Sequence, residues 1–157
     1  MPIVNFHLVE GMTSAQQDER LLIGASRLYA EVLQAPMERV RAFITPHPAG
    51  RFAAVGGLAA NNGLHAPYFD FIVLDGRPVD EIHRLLAGFT DLLVDILGVR
   101  RDLVRGSCRR VAPEDWAIGG IPASVLRKDE VEARARLAAS KTEPHARSDC
   151  RTPVSPS

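Results

Sequence analysis

The chain repeats itself, and the repeat leaves few architectures open. Pro2-Ile-Val-Asn-Phe-His-Leu-Val-Glu-Gly11 and Pro67-Tyr-Phe-Asp-Phe-Ile-Val-Leu-Asp-Gly76 both read proline, seven mostly apolar residues, an acid and a glycine, at an offset of 65. Val40-Arg41 recurs as Val104-Arg105 at an offset of 64, and Gly56-Gly57 as Gly119-Gly120 at 63. Small insertions in the first copy account for the drift. Two long copies cannot make a solenoid, which stacks three or more short units, so the pattern is that of a duplicated supersecondary unit.

Each copy opens on a strand, whose alternate residues face opposite ways. Val4, Phe6 and Leu8, with Phe69, Phe71 and Val73, give one wholly apolar face. The other face mixes Ile3, Asn5, His7 and Val9 with Tyr68, Asp70, Ile72 and Leu74, which suits a partly wet or subunit-facing surface. Helices are expected on the first face and partner chains on the second. Thr13 is the expected N-cap of the first helix, with Gln16 completing a capping box. Leu21, Leu22, Ala25, Leu28, Tyr29, Val32 and Leu33 form its apolar stripe. In the second copy Pro78 takes the first helical position, and Ile82, Leu85, Leu86, Phe89, Leu92, Leu93, Ile96 and Leu97 form the stripe. Pro36 stops the first helix and Gly98 ends the second, and strands at 40–45 and from 103 to 108 or a little beyond complete the copies. A right-handed crossover makes the two strands of each copy parallel.

The expected fold class is therefore α/β (α+β): a tandem βαβ repeat forming a four-stranded mixed sheet with two helices on one face. Residues 1–124 read as a single domain of two repeats, 2–57 and 67–120. Residues 125–140, with Leu126, Val131, Ala135 and Leu137, allow a short C-terminal helix. Residues 141–157, rich in Pro, Ser, Thr and charge, read as a disordered tail.

Composition narrows the function. Of 157 residues 46% are apolar, enough for a single core, and 19 Lys+Arg balance 19 Asp+Glu, so no excess of cation points to nucleic acid. No apolar run reaches the length of a membrane span and no secretory signal opens the sequence, so a cytoplasmic protein is expected. Cys108 and Cys150 form no CxxC and read as free thiols. His7 and His47 lack a second ligand at helical or hairpin spacing, so no metal is expected. The glycine pairs lack the context of a phosphate-binding loop and read as turns.

Pro2 is the sharpest candidate for chemistry. An initiator methionine followed by proline is normally removed, which leaves a secondary amine at the head of a core strand. An α-amino group ordinarily titrates near about 8, and neighbouring cations together with an apolar wall disfavour its charged form, which suits a general base. The alternative is that Pro2 merely starts an edge strand, where proline is tolerated.

Met1-Pro-Ile-Val-Asn-Phe-His-Leu-Val-Glu-Gly11, Ala35-Pro36, Val40-Arg-Ala-Phe-Ile-Thr45 and Gly50-Arg-Phe-Ala-Ala-Val-Gly-Gly57 resemble the 4-oxalocrotonate tautomerase family. So does the second copy, 67–124, with Asp75-Gly76-Arg77, Val104-Arg105 and Trp116-Ala-Ile-Gly-Gly120. The resemblance covers most of residues 2–124. It implies the tautomerase superfamily in its fused form, with two βαβ units per chain and a homotrimer where the short enzymes need six chains. In the short relatives the amino-terminal proline is the base, and the two-fold partner unit completes its pocket with an arginine and an aromatic residue. Carried onto this chain, the resemblance implies Pro2 as base, Arg77 as the arginine, Leu74 as apolar wall and Trp116 as the aromatic residue. The first copy carries Met12 and Phe52 at the arginine and aromatic positions. Pro67 is internal and its nitrogen is an amide, so only the Pro2 pocket needs an arginine, and one site per chain follows. A further arginine, from a neighbouring unit, polarises the substrate carbonyl in the relatives. Arg105 is the first candidate for it and Arg41 the second. A guanidinium can grip a carboxylate through two charge-assisted hydrogen bonds or steady a forming enolate.

The implied reaction uses no metal or cofactor. Neutral Pro2 takes a proton from a 2-hydroxydienoate or the enol of a 2-oxo acid and returns it at another carbon. Arg77 holds the carboxylate of this small substrate, Arg105 or Arg41 the oxyanion, and Leu74, Phe52 and Trp116 exclude water. Arg39, Arg51, Arg100, Arg101, Arg109 and Arg110 are assigned to solvated strand ends or subunit salt bridges. Trp116 can equally be core or interface. Decarboxylation and dehalogenation by hydration remain alternatives. The dehalogenases carry a second arginine where Leu74 stands and a glutamate near Ile118, with Glu114 and Asp115 out of register here. Malonate semialdehyde decarboxylase resembles the chain around Glu114-Asp115-Trp116 but carries an aspartate where Arg39 stands. A ferredoxin-like domain that binds amino acids without chemistry is the alternative from another class.

Overall fold

The structure, a computed structural model, describes residues 2–140. The first copy runs β1 (Ile3–Val9), α1 (Ala15–Leu33) and β2 (Arg41–His47), then a two-stranded hairpin, β3 (Ala53–Ala54) and β4 (Gly57–Leu58), and a single turn of helix, α2 (Ala59–Asn62). The second copy runs β5 (Tyr68–Leu74), α3 (Val79–Leu97) and β6 (Arg105–Val111), then β7 (Ala117–Ile118), β8 (Ile121–Pro122) and α4 (Ala123–Leu126). A last helix, α5 (Lys128–Ser140), follows. The expected tail, 141–157, lies outside the described residues.

The four long strands form one sheet in the order β2-β1-β5-β6. β1 is parallel to β2, β5 is parallel to β6, and the central pair β1 and β5 is antiparallel. This is the mixed sheet expected from the repeat. It corrects one alternative: β1 is an interior strand, so Pro2 does not begin an edge. The duplication extends to single hydrogen bonds. Arg41 N donates to Pro2 O at 3.0 Å as Arg105 N does to Pro67 O at 3.1 Å, and Ala59 N donates to Phe52 O at 2.8 Å as Ala123 N does to Trp116 O at 2.8 Å.

The apolar strand face packs under α1 and α3 as the alternation requires. Val4, Phe6, Leu8, Phe69, Phe71 and Val73 are fully buried. Phe89 of α3 meets the rings of Phe6, Tyr29, Phe69 and Phe71 edge-on, with centroids 5.4 to 5.9 Å away. Such contacts add to plain area burial. The Tyr29 hydroxyl donates to Ile72 O at 2.5 Å, which satisfies the one polar atom this core admits from α1, and burial pushes its phenol far up. On the opposite face His7 Nδ1 lies 2.9 Å from His47 Nε2, and His7 Nε2 lies 3.1 Å from Asp70 Oδ2, so these imidazoles are hydrogen-bonded.

Local expectations shift by small amounts for identifiable reasons. Ser14, not Thr13, caps α1: its Oγ accepts from Gln17 N at 3.2 Å, and Gln17 Oε1 accepts from Ser14 N at 3.0 Å. The motif reads equally well one residue earlier. A tertiary bond decides it, because Gln17 Nε2 also donates to Ile96 O of α3 at 3.0 Å. Pro78 is the N-cap of α3 rather than its first residue. Single 3-10 turns, Met37–Arg39 and Arg101–Leu103, precede the second strands, which start at Arg41 and Arg105, one and two residues later than expected, and run on to His47 and Val111. The glycine pairs sit at the hairpin turns, where Gly56, Gly119 and Gly120 have positive φ.

Gly106 on β6 shows how tightly the strands and their side chains fit. A Cβ at this position would run into the ring of Phe69. We expect Gly106→Ala to cost about 1–3 kcal/mol, read as a lower urea midpoint at unchanged slope. Among the described residues no helix is long and apolar enough to cross a membrane. The Cys108 thiol is free and pushed up by burial, so it is a poor nucleophile.

Candidate active site

Because β1 and β5 are antiparallel, the start of one lies beside the end of the other. Ile3 pairs with Ile72, so Pro2 and Leu74 arrive at the same end of the sheet. Gly76, at φ +87°, then turns the chain so that Arg77 follows directly. Pro2 is buried, and with Leu74 and Arg77 it lines a cavity of about 400 Å³. Leu33 and Val73 add apolar surface.

Arg77 is held in place. Its Nη1 donates to Leu33 O at 2.9 Å and pairs with Glu81 Oε2 at 3.2 Å, while Arg110 Nη1 donates to Arg77 O at 2.9 Å. Its side chain is only 13% exposed, so this ion pair is screened less than a surface one.

Three more guanidinium groups share the wall, those of Arg39, Arg127 and Arg134, against the single carboxylate of Glu130. The crowding registers in their acidities. Burial and then the charge of Arg77 hold Arg134 below the ordinary arginine range, and burial and then the charge of Arg39 do the same to Arg127. A concave surface with this excess of fixed cation attracts an anion.

The remaining candidates do not line the cavity, although the backbone N–H of Arg41 donates to Pro2 O. Arg41 and Arg105 occupy matching positions at the start of the two outer strands, and both are exposed. Arg41 Nη1 donates to Glu38 O and Val40 O at 2.7 and 2.8 Å, and Arg105 Nη1 to Asp102 O and Val104 O at 2.7 and 2.9 Å. Arg105 pairs with Tyr68, six residues along the ladder from Leu74, which puts it about 20 Å from the Pro2 end of the sheet. It does not reach Pro2 of its own chain. Phe52 packs on His47, with ring centroids 5.9 Å apart, and Trp116 is half-buried with its Nε1 unpartnered among the described residues. Neither lines the cavity. One chain thus brings Pro2, Leu74 and Arg77 together and leaves Arg41, Arg105, Phe52 and Trp116 outside.

The structure also corrects the assignment of Arg39 to a solvated strand end or a subunit salt bridge, because its ion pair is within its own chain. It lines the cavity and pairs with Glu130 at 3.4 Å. Sequence reasoning passed over Glu130, Arg127 and Arg134 as well. A signal for them exists: 127, 130, 134 and 137 follow helical spacing, which gathers two arginines and a glutamate on one face.

No protein-family model matches the chain. The 2-hydroxymuconate tautomerase of Pseudomonas sp. (strain CF600) is 41% identical over 61 residues, a match that takes in 39% of this chain and 94% of that enzyme. Among solved structures, native fused 4-OT superposes with a TM-score of 0.73 at 23% identity, covering 80% of this chain and 98% of its own. A wild-type fused 4-OT described as a symmetric trimer gives 0.70 at 22% identity, over 79% of this chain and 98% of its own. At such identities the structures speak for the fold.

Proposed function

The chain belongs to the family of 2-hydroxymuconate (4-oxalocrotonate) tautomerase, carrying two of its βαβ units in one polypeptide, and from that premise we propose that the Pro2 cavity catalyses keto–enol proton transfer on 2-hydroxydienoates and enols of 2-oxo acids. The observation that carries the reading is the meeting of Pro2 from the first copy with Leu74 and Arg77 from the second in one cation-lined cavity. Once Met1 is removed, Pro2 is a secondary amine. The guanidinium groups around it disfavour its protonated form, so its lone pair is available near neutral pH. It takes the hydroxyl proton of the bound enol and delivers it to a carbon of the conjugated system. Arg77 orients the substrate carboxylate, and Leu33, Val73 and Leu74 keep water from the reacting atoms. No metal or cofactor is required for these steps.

The reading extends to assembly. Three chains associate through the outer strands and the mixed face of the sheet, with residues 1–124 as the tautomerase domain. Arg105 of a neighbouring chain then completes the site and steadies the dienolate oxygen, with Arg41 as the second candidate. Phe52 and Trp116 from the hairpins add dry surface. Exposure of Arg105 on an outer strand, too far from its own Pro2, supports this, as does the trimer described for a fused 4-OT of the same fold. Proton transfer is preferred to decarboxylation and hydration because Arg39 and Leu74 both line the cavity. These are the positions at which the resemblance puts an aspartate in the decarboxylase and a second arginine in the dehalogenases.

The test is a spectrophotometric assay of the full chain lacking Met1. Saturable ketonisation of 2-hydroxymuconate and of phenylenolpyruvate, far above the buffer rate, is expected, together with a light-scattering mass of three chains. No rate above buffer for either enol contradicts the proposal.

A further inference from the structure

Part of the cavity lining comes from outside the two repeats. α5 brings Glu130 and Arg134 to it, and Arg39 approaches from the turn before β2. The Glu130 carboxylate lies 3.4 Å from Arg39 Nη1 and 3.5 Å from Arg134 Nη2. Both contacts are long for charge-assisted hydrogen bonds, which close to about 2.7–2.9 Å when the geometry is good. Arg39 donates to this carboxylate from both Nη1 and Nη2 at 3.4–3.5 Å, so the two guanidinium groups hold it on both oxygens but at a distance that leaves room for closer contact. α5 buries none of its side chains, so little apolar packing fixes it. An element attached in this way opens at low cost.

We propose that Arg39 and Arg134 form a second carboxylate subsite of the Pro2 cavity, filled by Glu130 in the free protein and by the far carboxylate of the substrate in the complex. The inference rests on the reading of the Pro2 cavity as the reaction site. Arg77 takes the carboxylate next to the reacting enol. The far carboxylate displaces Glu130 and can approach both guanidinium groups more closely, because it is not tethered to a helix backbone. Arg134 also lies close enough to Arg77 and Arg127 to feel their charges, which the carboxylates of Glu130 and Glu81 oppose, so a further anion relieves repulsion there. Arg134 is thus a specificity-determining residue supplied by the C-terminal helix. It favours acids with a charge at each end over acids of the same length with one.

Binding of two unreactive probes tests this apart from turnover. E,E-muconate and sorbate are the same six-carbon diene with two carboxylates and with one. Calorimetry on the full chain should give muconate a Kd at least tenfold below that of sorbate. Arg134→Gln should bring the ratio to within about threefold, Arg134→Lys should restore part of it, and Arg136→Gln, exposed on the same helix, should leave it unchanged. Glu130→Gln, which removes the resident carboxylate, should raise the ratio. A wild-type ratio within twofold, a ratio that survives Arg134→Gln, or a fall in Glu130→Gln overturns the subsite. If the wild-type protein turns over no enol but keeps the muconate preference, it is the proposed reaction that fails and the subsite that stands.

Discussion

Pro2→Ala, in protein freed of Met1, is expected to lower kcat for 2-hydroxymuconate by about a hundredfold or more. The variant keeps a terminal amine but loses the ring that fixes where the nitrogen's lone pair points, and orientation is a large part of what a positioned base contributes. Leaving Met1 attached should do more, because it turns the nitrogen into an amide and removes the base. There the loss should approach about 10⁴-fold, the upper end of general-base catalysis. Both proteins should keep wild-type circular dichroism, since the core beneath Pro2 is built from Val4, Phe6 and their partners. A loss below tenfold in both would place the base elsewhere.

Arg77→Ala should lower kcat/KM by about 10²–10³-fold, the usual effect of deleting one preorganised donor from a shielded site. Arg77→Lys should recover only part, because an ammonium cannot present the planar pair of donors a carboxylate fits. Arg77 also has a structural task, and the two must be separated. Its loss leaves Leu33 O and Glu81 without their partner, at a cost of about 1–3 kcal/mol. Glu81→Gln breaks the same ion pair while leaving the guanidinium in the cavity, which Glu81 does not line. We expect that variant to lose stability but to keep activity within about fivefold. Equal activity losses in Arg77→Ala and Glu81→Gln would make Arg77 a scaffold residue.

The fold was legible because its information is local and doubled. Alternation over seven residues set the faces of β1 and β5, the helical stripes set α1 and α3, and the duplication supplied a second reading of each element. Pro2 stood out because it follows the initiator methionine, whereas Leu74 and Arg77 came only from the family resemblance; the antiparallel pairing of β1 and β5 is what puts all three on one cavity. What stayed hidden depends on distant partners. The choice of Ser14 over Thr13 as cap turns on a bond from Gln17 to Ile96, 79 positions away. Arg39 reads as one more surface arginine until Glu130, 91 positions on, comes to meet it. α5 carries no strong apolar stripe to announce a docking face and buries none of its side chains. Arg105 and Trp116 lie outside the cavity of their own chain, so nothing within one chain ties them to Pro2.

The central claim is that the nitrogen of Pro2 is a free amine working as base, and ¹⁵N NMR of protein labelled at proline reads it directly. The account predicts that in active protein the Pro2 nitrogen titrates as a secondary amine below about 8, with a midpoint matching the rising limb of kcat/KM against pH. An active enzyme whose Pro2 nitrogen keeps an amide shift across that range, or titrates apart from the rate, would contradict it.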